Sequence, residues 1–258
     1  MIPYTWLVLS DSALPLGSFA FSSGLESYVA HRARPSSAVG AALPPLPPLP
    51  PPLPHFLRLS VHSLASAVLP FVVAAHGSSA ATATATAADL DDVFDASTLC
   101  PVARRASTAQ GRALITVYDR ALRAATTHSD GGAGEAGEAE AGDAVERYKL
   151  AVRKGEASGH FAVAWGLVCS ELGLALEDTL HVFAFNHAKA VVSAAVRLGL
   201  VGPYQAQAVL ASQETRSLVE AAVDVGRRIA VEDAGQSVPM LDLYQGRHEL
   251  LYSRVFNS

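Results

Sequence analysis

Glu177 and His181 stand four residues apart with Asp178 beside them, so a helix through this stretch would place a carboxylate and an imidazole on one face. That pair could offer a metal two ligands. A metal centre in a helical bundle needs a second helix carrying a Glu-x-x-His partner, and none occurs, so the stretch reads as a solvated acidic first turn followed by a partly buried histidine. His160 and His187 sit among apolar residues, Phe161-Ala162-Val163-Ala164-Trp165 and Val182-Phe183-Ala184-Phe185, and read as hydrogen-bonded core or interface histidines. Ser10, Ser12 and Ser18 lack the G-x-S-x-G surroundings of a nucleophile elbow. The chain has no phosphate-binding G-x-x-x-x-G-K-[ST], no GxGxxG behind a strand, no H-E-x-x-H and no Cys-x-x-Cys. By these residues it binds no GTP or ATP itself, carries no cofactor or resident metal, and serves as a binding or scaffolding protein. A helical enzyme of unmarked type is the alternative.

The 258 residues are 50% hydrophobic and 17% charged, enough apolar material for a core without help from metal or disulfides. The two cysteines, Cys100 and Cys169, are too few for a disulfide framework and read as small buried hydrophobes in a reduced compartment. Net charge is -5, with no basic footprint for nucleic acid. The N-terminus lacks a basic region and meets Asp11 before a signal-length apolar run develops, so a cytoplasmic protein is expected. Leu59 to Ala88 carries no formal charge, but His62, Pro70, His76 and Gly77 interrupt it. It reads as a core helix with a loose tail rather than a membrane span, which takes roughly 20 unbroken apolar residues.

The fold that must position these residues is all-α: one helical-bundle-like domain over 1–258, interrupted by three low-complexity insertions at 35–54, 77–88 and 128–144. In the first, Pro44 to Pro54 supplies few amide donors and reads as extended polyproline, a spacer or else a ligand for an SH3- or WW-type adaptor partner. The other two, an Ala/Thr/Ser tract and a Gly/Ala/Glu tract, lack the large apolar groups that would repay ordering. Helices are expected over Asp89 to Ala96, where Asp89, Asp91 and Asp92 suit an N-terminus, and over Pro101 to about Ala125. Others are expected over Glu146 to Leu172 with Gly173 as cap, Glu177 to Leu198, and Tyr204 to Ala230. No alternating run asks to be a strand.

Leu9-Ser10-Asp11-Ser12-Ala13-Leu14-Pro15-Leu16-Gly17-Ser18-Phe19, followed by Phe21-Ser22-Ser23-Gly24-Leu25-Glu26-Ser27-Tyr28, resembles the N-terminal signature of the UreF family of urease accessory proteins. Physically it reads as a short helix, a turn at Pro15 and Gly17, and a second helix that Ser22 or Ser23 can cap. The stretch from Ala103-Arg104-Arg105-Ala106-Ser107 to Gln110-Gly111-Arg112 is similar to that family in order and spacing. So are Gly159-His160-Phe161 to Trp165-Gly166, Ser193 to Leu198, and the ending from Pro239 to Ser258. The insertions depart from the family's compact pattern, and Gly199-Leu200-Val201-Gly202-Pro203 stands where its Pro-Leu-Gly-Gln turn would be.

The resemblance implies a non-enzymatic chaperone that dimerises, binds the accessory protein UreD (also called UreH), and with it recruits the nickel-carrying GTPase UreG. That assembly delivers nickel to apo-urease. The resemblance places Tyr28, with Glu26 beside it, at the GTPase-facing surface and gives Arg254 the part of the tail arginine supporting that surface. By position alone Tyr28 shares a helical stripe with Leu25 and Val29 and reads as core. Arg254, amid apolar neighbours, reads as tucked beneath the surface through its fork of donors. Leu250, Leu251, Tyr252, Val255 and Phe256 make the tail too apolar to lie idle and are expected to meet UreD or UreH.

Overall fold

The computed structural model describes residues 4–32, 51–78, 86–124 and 144–257, and among them every regular element is helical. In chain order the α-helices are α1 (Tyr4–Leu9), α2 (Leu25–Arg32), α3 (Pro52–Ala67), α4 (Leu69–Gly77), α5 (Ala87–Ser97) and α6 (Pro101–Val117). There follow α7 (Ala144–Lys154), α8 (Phe161–Glu171), α9 (Leu176–Arg197), α10 (Pro203–Leu210), α11 (Gln213–Gly226) and α12 (Met240–Arg247). A π-turn over Tyr118–Leu122 continues α6.

Helix α8 is the axle. Its run Ala162-Val163-Ala164-Trp165-Gly166-Leu167-Val168-Cys169 is apolar on every face, which only a helix surrounded by others can afford, and all eight residues are buried. Trp165 donates its indole N–H to the Thr179 carbonyl at 3.2 Å, and its ring meets Phe161 and Phe183 at centroid distances of 5.6 Å each. Gly166 brings α4 close: a Cβ there would lie 2.6 Å from the Val72 carbonyl oxygen. Gly111 does the same for α6, where a Cβ would lie 2.2 Å from the Gly159 oxygen.

The loop feeding α8 is held by one buried carboxylate. Asp91, fully buried, accepts the amides of Ser158, Gly159 (3.1 Å) and His160 (2.7 Å) and the Tyr148 hydroxyl. Burial and this carboxylate push the Tyr148 phenol far above its usual range, so it stays a donor. Asp91, expected as part of an acidic helix start, is therefore an internal anchor as well. The cause is the fold: amides pointing from a helix start need an anion, and α5 passes there.

The structure corrects several sequence-based boundaries. Pro52 and Pro54 lie in the first turn of α3 rather than in extended polyproline, and Leu53 between them is 2% exposed. A helix's first turn has no use for the amides that proline lacks. The Ala/Thr/Ser tract likewise ends as structure: Thr86 caps α5 reciprocally with Asp89, accepting its amide at 3.2 Å and donating its own at 3.0 Å. Ala144, placed in the third insertion, is buried at the start of α7. The interiors of the three insertions, including Pro44 to Pro50, lie outside the described residues.

Three long helical stretches are each split. The core helix read in Leu59 to Ala88 breaks at Val68-Leu69, ahead of Pro70; Glu146 to Leu172 breaks at Gly155 to His160; Tyr204 to Ala230 breaks at Ala211-Ser212, where Ser212 caps α11 by accepting the Thr215 amide at 3.1 Å. Gly173 closes α8 as expected, with Gly173 and Leu174 amides returning to the Ser170 and Cys169 carbonyls. Pro52–Gly77 is apolar enough to cross a membrane by length and composition, but most of it is buried within this fold. Both cysteines are free and buried.

Candidate partner-binding site

The N-terminal signature and the C-terminal tail meet. Ser23 (φ 53°) and Gly24 (φ 88°) take successive left-handed conformations, turning the chain so that α2 starts under the tail. Glu26, in the first turn of α2, is 8% exposed and directs both carboxylate oxygens at that tail. Oε1 accepts the Val255 amide at 2.7 Å, while Oε2 accepts the Phe256 amide at 3.1 Å and His248 Nε2–H at 2.8 Å. Successive amides converging on an anion form a backbone nest, and an ionised acceptor makes each bond roughly twice as strong as a neutral one.

Beyond the clasp, Phe256 is buried with the Arg197 guanidinium 4.1 Å from its ring centroid. Arg197 also donates to the Phe19 carbonyl, and the Asn257 amide donates to that of Ala20 at 2.8 Å. What this docking leaves in water is apolar: Leu250 is 76% exposed, Val255 62%, and Tyr252 entirely so. Met240 and Leu243 of α12 add to it.

The predicted residues thus divide. Glu26, expected to face a partner, is spent inside the chain, and Phe256 is core. Leu251 is half-buried, whereas Leu250, Tyr252 and Val255 are free to meet another surface. Arg254, expected beneath the surface, is exposed, and its charge helps hold the Glu249 carboxyl below its ordinary range, behind the larger effect of Arg105. Tyr28 is buried, as its stripe implied. Its hydroxyl pairs with His55 Nδ1 at 2.6 Å and accepts from Arg32 at 3.1 Å, and its ring packs 5.1 Å from both Phe56 and Tyr244. Burial raises the phenol's pKa, with Arg32 opposing. The cluster approaches solvent through His55, Arg32 and Tyr244, each half-buried.

The other chemistry-bearing residues are also spent on structure. Glu177 pairs with Arg227 at 3.2 Å, and His181 turns back to the Glu177 backbone carbonyl at 2.9 Å. Ser107, His160 and Asp95 stand in line at 3.1 and 2.9 Å, the order of a catalytic triad. Yet the Ser107 hydroxyl already accepts the Phe161 amide at 3.2 Å, and His160 is fully buried, so the line fastens α8 to α5 and α6. Among the described residues, no group of three or more His, Cys, Asp or Glu side chains could hold a metal ion.

A cavity of about 310 Å³ lies between the N-terminal segment, α3, α6, α9 and α12. Its polar groups hold the chain: Asn186 and Lys189 grip the Leu9 and Ser10 carbonyls, and His187 pairs with Ser60 at 2.7 Å. Burial pushes the His187 imidazole down to about 4. Between there and the ordinary value near 6.5, the unfolded chain takes up a proton that the folded chain refuses. His187 should therefore cost stability as pH falls from about 6.5 to about 4, by up to about 1.4 kcal/mol per pH unit, and nothing further below. Urea midpoints of the parent and His187→Gln between pH 4 and 7 test this. Parallel curves across the window would refute it.

Fold and site together define an all-α protein whose reactive side chains hold its own chain and whose docked terminus presents an apolar face. The profile of the UreF family matches residues 52–229, well over half the chain, and the chain belongs to that family. It is 37% identical over 252 residues to an uncharacterized urease accessory protein UreF-like of Schizosaccharomyces pombe, covering 98% of this chain and 95% of the relative. It is also similar to urease accessory protein 6 of Cryptococcus neoformans, 29% identical over 97% of this chain and 95% of that one. Urease accessory protein F of Oryza sativa subsp. indica is 30% identical over 97% and 83% respectively. The role is that of a urease accessory protein.

Proposed function

We propose that the chain is an adaptor in urease maturation: as a homodimer it binds UreD/UreH, and the pair recruits the nickel-carrying GTPase UreG and hands nickel to apo-urease. The observation that carries this reading is the docked tail, whose Leu250, Tyr252 and Val255 stay exposed although Phe256 is buried. Apolar side chains held out on a fixed backbone lose little entropy when a partner covers them. UreD/UreH is assigned to this face, and UreG to the neighbouring surface bearing Arg254 and the rim of the Tyr28 cluster. Nickel is cargo in this scheme, passed on by the assembly and not stored by this chain.

The test is co-expression with the cognate UreD and UreG, followed by sizing and nickel-dependent urease activation. Changing Leu250, Tyr252 and Val255 together to serine should leave the helical circular dichroism unchanged, because none of the three side chains supports the core. Capture of UreD should fall at least ~10-fold, since losing even one anchor at an interface typically costs more than 1 kcal/mol. Arg254→Ala should spare UreD capture and weaken UreG recruitment. Full UreD capture by the triple variant would remove the tail from the interface.

A further inference from the structure

We infer that Glu26, with His248, is the positioning residue of the partner-binding face: it sets the register of the C-terminal tail and thereby decides which tail side chains are buried and which are presented. The inference rests on the adaptor reading for its partner but not for its geometry. Val255 and Phe256 lie at successive bends, the first side chain in water and the second buried, so a slip of one residue would exchange Val255 for Phe256. Phe256 would then lie in water and Val255 under Arg197. The slip would break both bonds to the one carboxylate that takes the amides of these two residues, at 2.7 and 3.1 Å.

His248 makes the arrangement specific. It is fully buried where α12 gives way to the tail, and its Nε2–H shares Oε2 with the Phe256 amide. Among the described residues its Nδ1 has no hydrogen-bond partner, and the Glu26 contact is the polar bond its side chain makes. Glu26 thus grips the tail at two points, where it leaves α12 and just before its end, and the chain between them arches outward with Tyr252 and Arg254 exposed. Arg197 and the Ala20 carbonyl hold Phe256 and Asn257 from the other side, but neither touches the amide of Val255. Those contacts help to set the register, and Glu26 adds the bond that fixes the Val255 amide.

Amide exchange and limited trypsin digestion of the full-length chain read the clasp directly, without any partner. In Glu26→Gln, which keeps the volume but not the charge, the Val255 and Phe256 amides should exchange ~10- to 100-fold faster, the range expected on losing bonds to a charged acceptor. Trypsin should cleave after Arg254 sooner, and helical circular dichroism should stay at the parent level. His248→Gln is the second variant, which removes the imidazole while leaving the carboxylate to hold the two amides. It should loosen the tail less than Glu26→Gln, and both should weaken capture of UreD in proportion to the loosening. Parent-like protection of both amides in Glu26→Gln would overturn the clasp. A loosened tail with full UreD capture would overturn the positioning role. If the parent itself captured no UreD, the adaptor reading would fail, while the exchange data would still decide the clasp.

Discussion

Asp91→Ala is expected to yield almost no folded protein, and Asp91→Asn a protein weakened by ~3 to 5 kcal/mol, the cost of breaking a buried, fully partnered charge. Four donors converge on this carboxylate: the Tyr148 hydroxyl and the amides of Ser158, Gly159 and His160. Alanine leaves all four buried and unsatisfied. Asparagine keeps one acceptor oxygen but turns an N–H₂ toward groups that are themselves donors. The loss falls on the start of α8, the helix on which the core is built, and it is large beside a typical total stability of about 5–15 kcal/mol. Soluble yield and urea unfolding at neutral pH measure it. An Asp91→Asn midpoint equal to the parent's would show that the carboxylate is dispensable.

Gly166→Ala and Gly111→Ala are expected to destabilise the protein by ~1 to 3 kcal/mol each, against the ordinary tendency of alanine to strengthen a helix. At Gly166 the new carbon would sit 2.6 Å from the Val72 oxygen and 2.8 Å from both the Ala75 Cβ and the His76 nitrogen. At Gly111 it would meet the Gly159 oxygen at 2.2 Å and the His160 carbonyl carbon at 2.6 Å. Both collisions involve backbone, which cannot swing aside, so the helices themselves must part. Gly246→Ala is the control: it lies in α12 with nothing within 4 Å of the added carbon, so alanine should stabilise by ~0.5 to 1 kcal/mol. Thermal melts of the three variants should therefore move in opposite directions. A common direction would mean that helix propensity, not close packing, governs these positions.

Some of what a chain encodes is displayed locally. Gly173 as a cap and Pro101 at a helix start follow from periodicity and backbone chemistry within a few residues, and the structure has them where they were expected. The splits at Gly155 to His160 and at Ala211-Ser212 were missed because a helical period runs through both. Gly155 ends α7 in a left-handed turn, with the Gly155 and Glu156 amides returning to the Val152 and Ala151 carbonyls. Ser212 caps the start of α11, and only the distant Asp91, which draws off the amides of 158 to 160, had no local signal. The Ala103 to Arg112 motif was visible, but not its task. Arg104 holds the Asp95 and Thr98 carbonyls, Ser107 holds His160 and the Phe161 amide, and Arg112 donates to the Ser158 carbonyl at 2.9 Å.

By itself the sequence determined an all-α fold, the positions of most helices, the absence of the familiar catalytic motifs, and the resemblance to the UreF family through its terminal signatures and the motifs between them. Those properties are local, because helix period, caps and short motifs are written in neighbouring residues. Only the tertiary structure decided what the terminal residues do. Glu26 reads as an exposed acid in a first helical turn until a histidine 222 residues away and two amides beyond it close on its carboxylate. Arg254 reads as buried by its apolar neighbours until Phe256 is seen to take the inner position and leave it in water. Burial of a charge depends on which distant donors the folded chain brings to it, and a linear pattern holds no record of that distance.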